Sequence, residues 1–222
     1  MVSIDPHRRS GIMVGMSDTS VNSTRLAAVL TAIDEANTAD PKQVPTDDGP
    51  LPAALVYGRR MSAELADLVP DAGEPLQIAV RGQHIERFRR PRDQYPMTRE
   101  GYLAWRRDAA RFHAERLAEL MRDAGYDQPT IERVGQIVRK QNIKRDPDAQ
   151  ALEDCAALVF LRHELDDFIC AHPEYDEQRM LRILRKTWKK MSPAGHDRAL
   201  AIAFSDIAAP WIKKALAETE TA

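Results

Sequence analysis

Apolar residues recur along most of the chain at the three- and four-residue spacing that is typical of amphipathic helices. The first such run has four apolar positions in this register: Leu26, Val29, Leu30 and Ile33. Ser23 or Thr24 can cap this helix, which we expect to end near Asn37. A stretch rich in proline and aspartate follows and predicts a loop up to about residue 52.

From residue 53 onward the pattern is helical almost throughout, and proline, glycine or aspartate-rich turns separate the runs. The predicted helices cover about 53–69, 74–88, 98–124, 129–140, 148–170, 176–189, 194–204 and 207–217. In the longest of them, Thr98 is the expected N-cap and Gly125 the expected left-handed terminus after Ala124. No strand run or internal repeat is recognisable, so the sequence predicts an all-α fold.

A chain of 222 residues with 43% hydrophobic and 30% charged residues is typical of a single globular domain. We expect this domain to span 23–218 and residues 1–22, which are polar and aperiodic, to be disordered. No apolar stretch approaches the roughly 18 to 20 residues of a membrane span, and the N-terminus lacks the features of a signal peptide. The expected location is the cytoplasm, where Cys155 and Cys170 would stay reduced.

Positive charge is concentrated in one segment, although the whole chain has a formal net charge of −2. Residues 80–113 contain nine arginines and four acidic residues, interleaved with aromatic side chains and two histidines. Guanidinium groups are well shaped for bidentate contacts with phosphate or carboxylate. We therefore expect an anionic, phosphate-containing small molecule as ligand, with RNA as a second candidate partner. The pI of 6.3 argues against a protein that coats nucleic acid indiscriminately.

Three polar side chains are expected to face inward from three predicted helices: His84, His113 and Asp154. A buried carboxylate or imidazole needs a hydrogen-bonding, charged or metal partner. Each residue also has an ordinary structural explanation. The histidines can be a core and a surface side chain, and Asp154 with Glu153 can be an acidic pair favoured near a helix N-terminus.

On facing helices these groups predict a site whose catalytic residues are His84, His113, Asp154 and Glu153. If a divalent metal ion is the cofactor, its predicted ligands are His84, His113 and Asp154. The predicted substrate-binding residues are the cations, aromatic side chains and amide around them: Arg81, Gln83, Arg87, Arg92, Tyr95, Trp105, Arg106 and Lys140.

Six segments, in this order, resemble a family of uncharacterised bacterial, plant and fungal proteins: RGQHIERF, PRDQYP, GYLAWRRD, RFHAE, QALEDCAALVFL and LRKTWKKMSPAGH. The resemblance spans about 24–215. This family is catalogued as a domain of unknown function, and its members are often labelled glutamyl-tRNA synthetase. HIER and KKMSP are only faintly similar to synthetase signatures, which operate on a doubly wound α/β domain. Since no parallel strands are predicted, we do not expect aminoacyl-tRNA synthetase activity.

A remoter resemblance is to HD-domain metal-dependent phosphohydrolases, and four segments carry it: ALVYGRRMSAELADL, LQIAVRGQHIERF, FHAERLAELMRDAGYDQPTIERVGQIVRK and DPDAQALEDCAALVFL. In that framework a histidine, a His-Asp pair and a later aspartate bind metal. Here Tyr57 takes the place of the first histidine and Gln83-His84 that of the pair, while Asp154 or Ala156 falls near the last aspartate. The resemblance implies an altered or absent metal centre, because tyrosine and glutamine are poor replacements for imidazole and carboxylate.

These features favour an HD-domain-like enzyme that hydrolyses a nucleotide or another phosphate ester in an arginine-rimmed helical pocket. The alternative is a non-catalytic nucleotide- or RNA-binding module on the same fold. A third interpretation is an interaction protein that uses the basic segment LRKTWKKM, although lysines there also suit the C-terminal end of a helix.

Overall fold

The computed structural model describes residues 17–217, and their side chains from Thr24 onward. Ten helices lie in this range: α1 Ser17–Asn37, α2 Ala53–Leu68, α3 Glu74–Arg81, α4 Arg99–Asp123, α5 Gln128–Val138, α6 Pro147–Val159, α7 Leu165–Ala171, α8 Glu177–Trp188, α9 Pro193–Leu200 and α10 Ala209–Ala217. Two short strands, β1 Gln43–Val44 and β2 Leu51–Pro52, pair antiparallel between α1 and α2. The predicted all-α class is confirmed for 17–217 apart from this ribbon, which the sequence pattern did not reveal.

Several boundaries differ from the predicted ones. Helix α1 begins at Ser17 rather than after a cap at Ser23 or Thr24, so 17–22 are helical, and the rest of the segment expected to be disordered lies outside the described residues. The expected helix 148–170 is interrupted by a π-helical segment, Phe160–Glu164, between α6 and α7. A π turn inserts one extra residue, which changes the helix face that every later residue occupies.

Helix α3 ends at Arg81, well before the predicted end near residue 88, because the chain at Gly82 packs directly against α4. A Cβ on Gly82 would lie 2.4 Å from a Leu117 methyl carbon, closer than two carbon atoms approach. The chain then turns, and Glu86 adopts a positive φ of 48°. Its backbone N–H donates to Asn37 Oδ1 at 2.8 Å. The residues of this turn therefore lie between α1 and α4 rather than on a helix face.

Side-chain caps begin five of the helices within 17–217. The capping residues are Thr98, Asp127, Asp146, Asp176 and Ser192. Thr98 Oγ1 accepts the Gly101 N–H at 3.1 Å, and Gly125 has a positive φ of 79° after the end of α4. The predicted start and end of the longest helix are therefore confirmed.

Buried apolar side chains form two hydrophobic clusters that meet on α6. The first packs α1 to α6 and includes Ile33, Met61, Ile78, Leu117, Ile137 and Leu152. The second packs α6 to α10 and includes Leu158, Leu161, Leu165, Met180, Leu184 and Ala215. Because α6 contributes to both clusters, it is buried on nearly every side, including its Glu153 and Asp154. No helix within 17–217 is both long and apolar enough to cross a membrane.

Candidate anion-binding site

The two predicted histidines lie side by side, with ring centroids 5.8 Å apart. His84 projects from the turn after α3, and His113 lies in the middle of α4. His113 Nδ1 is 2.8 Å from the carbonyl oxygen of Ile85, so this nitrogen carries the proton and donates. The other ring nitrogen, Nε2, is then an acceptor. It is buried without a hydrogen-bond partner among the described residues, and His113 is only 2% exposed.

Tyr57 of α2 completes the inner side of this group. Its ring stacks on His84 at a centroid distance of 4.6 Å and an interplanar angle of 20°. Its hydroxyl donates to Gln83 Oε1 at 3.2 Å. Burial raises the pKa of Tyr57 above its ordinary value, so the phenol remains neutral. Gln83, predicted as a substrate-binding residue, is buried and its amide oxygen is engaged by this phenol.

Arg87 forms the outer side of the group. A guanidinium nitrogen lies 2.8 Å from His84 Nε2, and the guanidinium carbon lies 4.7 Å from the centroid of the Trp105 ring. Trp105 is held in turn by its indole N–H, which donates to the Arg90 carbonyl at 2.8 Å. No ion pair joins Arg87 to a carboxylate of the described residues, so its direct partners are neutral.

Both imidazoles are neutral near pH 7. Burial lowers the pKa of His84 well below its ordinary value, and the charges of Arg87 and His113 act in the same direction. Burial also lowers the pKa of His113 to about 4, although the bond to the Ile85 carbonyl opposes that shift. The lone pair of neutral His84 accepts an N–H of the Arg87 guanidinium, so only His113 Nε2 has a lone pair without a donor among the described residues.

Two lysines share one carboxylate next to the histidines. Lys140 Nζ makes a short contact with Glu153 Oε2, and Lys190 Nζ lies 3.4 Å from Oε1. Burial acts to raise the pKa of Glu153, but Lys140 and then Lys190 outweigh it and keep the pKa below its ordinary value. Glu153 is therefore a counter-ion for two ammonium groups, and the structure gives it no catalytic contact. The charge of Lys140 also lowers the pKa of His84, which ties this group to the histidines.

Glu164 is a member of the site that sequence reasoning missed. It ends the π-helical segment, and burial raises the pKa of its carboxyl. Its charge acts on Tyr57 and on Arg87, yet it forms no hydrogen bond with a described residue. The π turn that ends at Glu164 has no visible signature in the sequence, which predicted an uninterrupted helix from 148 to 170.

Asp154 does not join the histidines, which corrects the predicted catalytic and metal set. One carboxylate oxygen accepts the Ser192 N–H at 2.9 Å and the Gln150 amide at 3.0 Å, and the other accepts the Ser192 hydroxyl at 2.6 Å. Asp154 thereby fixes the start of α9 on α6. Within 17–217 no three His, Cys, Asp or Glu side chains are grouped to hold a metal ion. The predicted ligand set therefore does not assemble.

Arg81 is a second correction. Its guanidinium donates twice to the Asp34 carboxylate of α1, at 2.7 and 2.6 Å. Both side chains are largely buried. The Asp34 carboxylate therefore occupies the bidentate position on Arg81 at which a ligand phosphate was expected.

Arg92 and Tyr95, also predicted as substrate-binding residues, make hydrogen bonds within the chain. Arg92 donates to the carbonyl oxygens of Tyr95, Pro96 and Thr98 at 2.8, 2.7 and 3.3 Å. The Tyr95 hydroxyl donates to Asp108 at 3.2 Å. These contacts fasten the loop before α4 to the first turns of that helix.

Arg106 remains at the outer edge of the site. It is exposed, and its guanidinium carbon lies 5.9 Å from the Tyr102 ring centroid. No described carboxylate forms an ion pair with it. Its charge lowers the pKa values of His84 and Lys140, so it lies within electrostatic reach of both. We call the following residues the Arg87 cluster: Tyr57, Gln83, His84, Arg87, Arg106, His113, Lys140 and Glu164.

A surface cleft between α5 and α6 lies apart from this cluster. It is lined by Arg133, Gln136, Asn142, Arg145, Asp146 and Pro147, none of which was predicted as a site residue. Arg133 is already bound to Asp146 and Asp148 there. The cleft therefore offers few uncommitted charges.

The fold and the site define an all-helical protein with a cation-rich polar cluster at the junction of α2, α4 and the turn after α3. The chain belongs to the family described as "Domain of unknown function (DUF4202)", whose model matches residues 27–212. No curated protein and no solved structure matches the chain, so the remote resemblance to HD-domain proteins has no further support from these comparisons.

Proposed function

We propose that the protein binds a phosphate-containing small molecule at the Arg87 cluster and hydrolyses its phosphate ester. The observation that carries this proposal is the guanidinium of Arg87, which is largely withdrawn from water against His84 and Trp105 without a carboxylate partner. A cation removed from water is costly unless an anion offsets it. A phosphate group supplies that charge and accepts several hydrogen bonds at once.

The other cations of the cluster support the same ligand. Lys140 and Lys190 have one carboxylate between them, and Arg106 has none among the described residues. Positive charge therefore exceeds negative charge around the histidines. Such an excess favours a ligand with more than one negative charge.

A neutral imidazole provides the proton acceptor for hydrolysis. In the proposed reaction a water molecule attacks phosphorus and gives its proton to the free lone pair on His113 Nε2. His84, whose lone pair accepts from Arg87, positions that guanidinium. The ester P–O bond breaks, and the leaving oxygen takes a proton from Glu164. A carboxyl whose pKa is raised by burial suits that donor role.

We also propose that the cluster is an altered form of an HD-domain centre. In support, Tyr57 contacts both Gln83 and His84, the residues that stand in the places of the His-Asp pair. These residues do not fit a divalent metal, because the Tyr57 phenol and the Gln83 amide bond each other and Asp154 bonds Ser192. No step of the proposed reaction is routed through a metal.

Release of inorganic phosphate from a panel of nucleotides, sugar phosphates and phosphodiesters tests the enzymatic proposal. With the best ester, we expect His113→Asn and Glu164→Gln to lower the rate on the order of 100-fold. Arg107→Gln, at an exposed position of α4, is the matched control and should leave the rate unchanged. If the wild-type protein hydrolyses no ester of the panel, the enzymatic proposal is wrong.

A second candidate function is non-catalytic binding of a nucleotide or an RNA end. Three arginines that lie over aromatic rings favour it: Arg87 over Trp105, Arg90 over Phe112 and Arg106 over Tyr102. Such groups can stack bases and neutralise phosphate together. Binding that weakens steeply as salt rises, without turnover, would support this function.

A further inference from the structure

A continuous series of contacts between rings and guanidinium groups, which we call the stack, leads from the interior of the Arg87 cluster to the surface. It combines a stacked ring pair, a hydrogen bond, cation–π contacts and a tilted ring pair. From inside to outside its members are Tyr57, His84, Arg87, Trp105, Tyr102 and Arg106. At the outer end, the centroids of the Trp105 and Tyr102 rings lie 5.9 Å apart, and Arg106 is 5.9 Å from the Tyr102 ring.

The inner end of the stack is buried, and its outer end is exposed to solvent. Trp105 is 9% exposed, whereas Tyr102 is 43% exposed and the adjoining Leu103 is 50% exposed. A large aromatic and a large aliphatic side chain thus remain in solvent beside a site rich in positive charge. A ligand that carried only phosphate would make no use of this apolar surface.

The open end is held rigidly. Thr98 caps α4, and Tyr102 lies in the first turns of that helix. A Cβ on Gly101 would lie 2.1 Å from the Pro96 carbonyl oxygen, so only glycine permits this close approach. Arg92 binds the same carbonyl at 2.7 Å. A surface fixed in this way loses little conformational entropy when a ligand stacks on it.

We propose that Tyr102 stacks the base of a nucleotide unit whose phosphate binds Arg106 and Arg87. Every nucleobase presents a π-face, and stacking on an aromatic side chain needs no particular base. The nucleotide unit can be free or can be the end of an RNA strand, since both carry the same chemistry. This inference rests on the proposed phosphate site and identifies the group that is attached to the phosphate as a nucleoside.

Calorimetric titration of the full chain with adenosine monophosphate and with ribose 5-phosphate tests the inference. We expect the wild-type protein to bind the nucleotide about ten-fold more tightly than the sugar phosphate. Tyr102→Ala should abolish this preference and leave the affinity for ribose 5-phosphate unchanged. Tyr102→Phe keeps the ring and should keep the preference. Because Tyr102 is exposed, neither variant removes a buried contact of the core.

Three results would overturn the inference. Equal binding of both ligands by the wild-type protein would exclude a base site while leaving phosphate binding intact. Loss of affinity for both ligands in Tyr102→Ala would assign Tyr102 to the phosphate site instead. Binding of neither ligand would contradict the proposed function itself and the inference with it. A short 5′-phosphorylated oligoribonucleotide that binds more tightly than the mononucleotide, through Tyr102, would identify an RNA end as the source of the unit.

Discussion

Arg87 differs from Arg81 and Arg92 in the kind of partner that it has. Arg81 has the Asp34 carboxylate, and Arg92 has backbone carbonyl oxygens. Arg87 instead contacts a neutral imidazole and an indole ring. Since neither partner is an anion and no described carboxylate forms an ion pair with Arg87, the proposed function depends on this residue.

The buried, neutral state of His113 predicts a pH-dependent stability. Unfolded histidine binds a proton below about pH 6.5, whereas folded His113 does so only near pH 4, so the unfolded state binds more protons between these values. Stability contributed by His113 is therefore present above pH 6.5 and falls by about 3 kcal/mol toward pH 4. Urea unfolding of wild type and of His113→Asn from pH 7.5 to 4.5 measures this difference.

The asparagine variant is a close match, because its amide can still donate to the Ile85 carbonyl while it cannot titrate. Carboxylates titrate in both proteins, so their effect on the free energy of unfolding cancels when the two are compared. We expect the variant to lose less stability on acidification than the wild type does. The same loss in both proteins would show that His113 is not held neutral by the fold.

Asp154 is expected to matter for stability and not for ligand binding. Asp154→Ala removes three hydrogen bonds to a charged acceptor and leaves the cap of α9 without support, at a cost of about 2 to 4 kcal/mol. Ser192→Ala should cost about 1 kcal/mol, and the double variant should cost less than the sum. Denaturant unfolding measures all three. A strong loss of phosphate binding in soluble, folded Asp154→Ala would contradict this role.

Sequence reasoning placed individual side chains correctly only where local information was sufficient. The inward direction of His113 follows from its own helix and was predictable. The partners of Arg81 and Asp154 are 47 and 38 residues away in the chain, at Asp34 and Ser192. No local pattern indicates such pairs, and for this reason structural charges were predicted to be ligand-binding ones.

At the scale of elements, the first turns of α4 are important because they carry both Trp105 and Tyr102. The segment between α3 and α4 has no regular structure beyond two 3-10 turns, Arg87–Arg89 and Arg92–Gln94. Arg92 compensates for this by binding three carbonyl oxygens with its planar guanidinium. The position of the stack therefore depends on a side chain outside the helix.

Arg92→Lys should loosen these turns without removing positive charge. An ammonium group cannot reproduce the fan of guanidinium N–H groups, so we expect a loss of about 1 to 3 kcal/mol of stability. Hydrogen exchange at the Gly101 and Tyr102 amides should accelerate, and the preference for adenosine monophosphate over ribose 5-phosphate should weaken. Arg99→Lys, at an exposed position of the same turn, is the control. Unchanged exchange in Arg92→Lys would show that the loop is held by other contacts.

Helix ends that are marked by a local cap were predictable from the sequence. Ends and interruptions that depend on contacts with other helices were not. Thr98 and Gly125 marked the ends of α4 in the sequence itself. Helix α3 stops early because Gly82 meets Leu117 of another helix, which is a tertiary contact. The π turn before Leu165 likewise leaves the apolar pattern intact, and it ends at Glu164, whose charge acts on Tyr57 and Arg87. Both unpredicted features lie at the site.

At the scale of the whole molecule, α6 links the two hydrophobic clusters. Its Leu152 and Cys155 belong to the first cluster, and its Leu158 belongs to the second. Neither cluster can lose α6 without losing part of its core. We therefore expect residues 17–217 to unfold as one cooperative unit.

Tryptophan fluorescence can test this, because Trp105 lies on the side of the first cluster and Trp188 and Trp211 pack against the second. Trp105→Phe reports on the second cluster alone, and the double variant Trp188→Phe with Trp211→Phe reports on the side of the first. In each variant the urea midpoint from fluorescence should match that from far-UV circular dichroism. Separate midpoints would indicate two independently unfolding parts.

The central claim is that the Arg87 cluster binds phosphate, and calorimetric titration with pyrophosphate tests it most directly. We predict that wild-type protein binds pyrophosphate, that Arg87→Gln weakens this binding by about ten-fold or more, and that Arg107→Gln changes it by less than about two-fold. Circular dichroism confirms that the variants are folded. Equal affinities in the wild type and in folded Arg87→Gln would contradict the account.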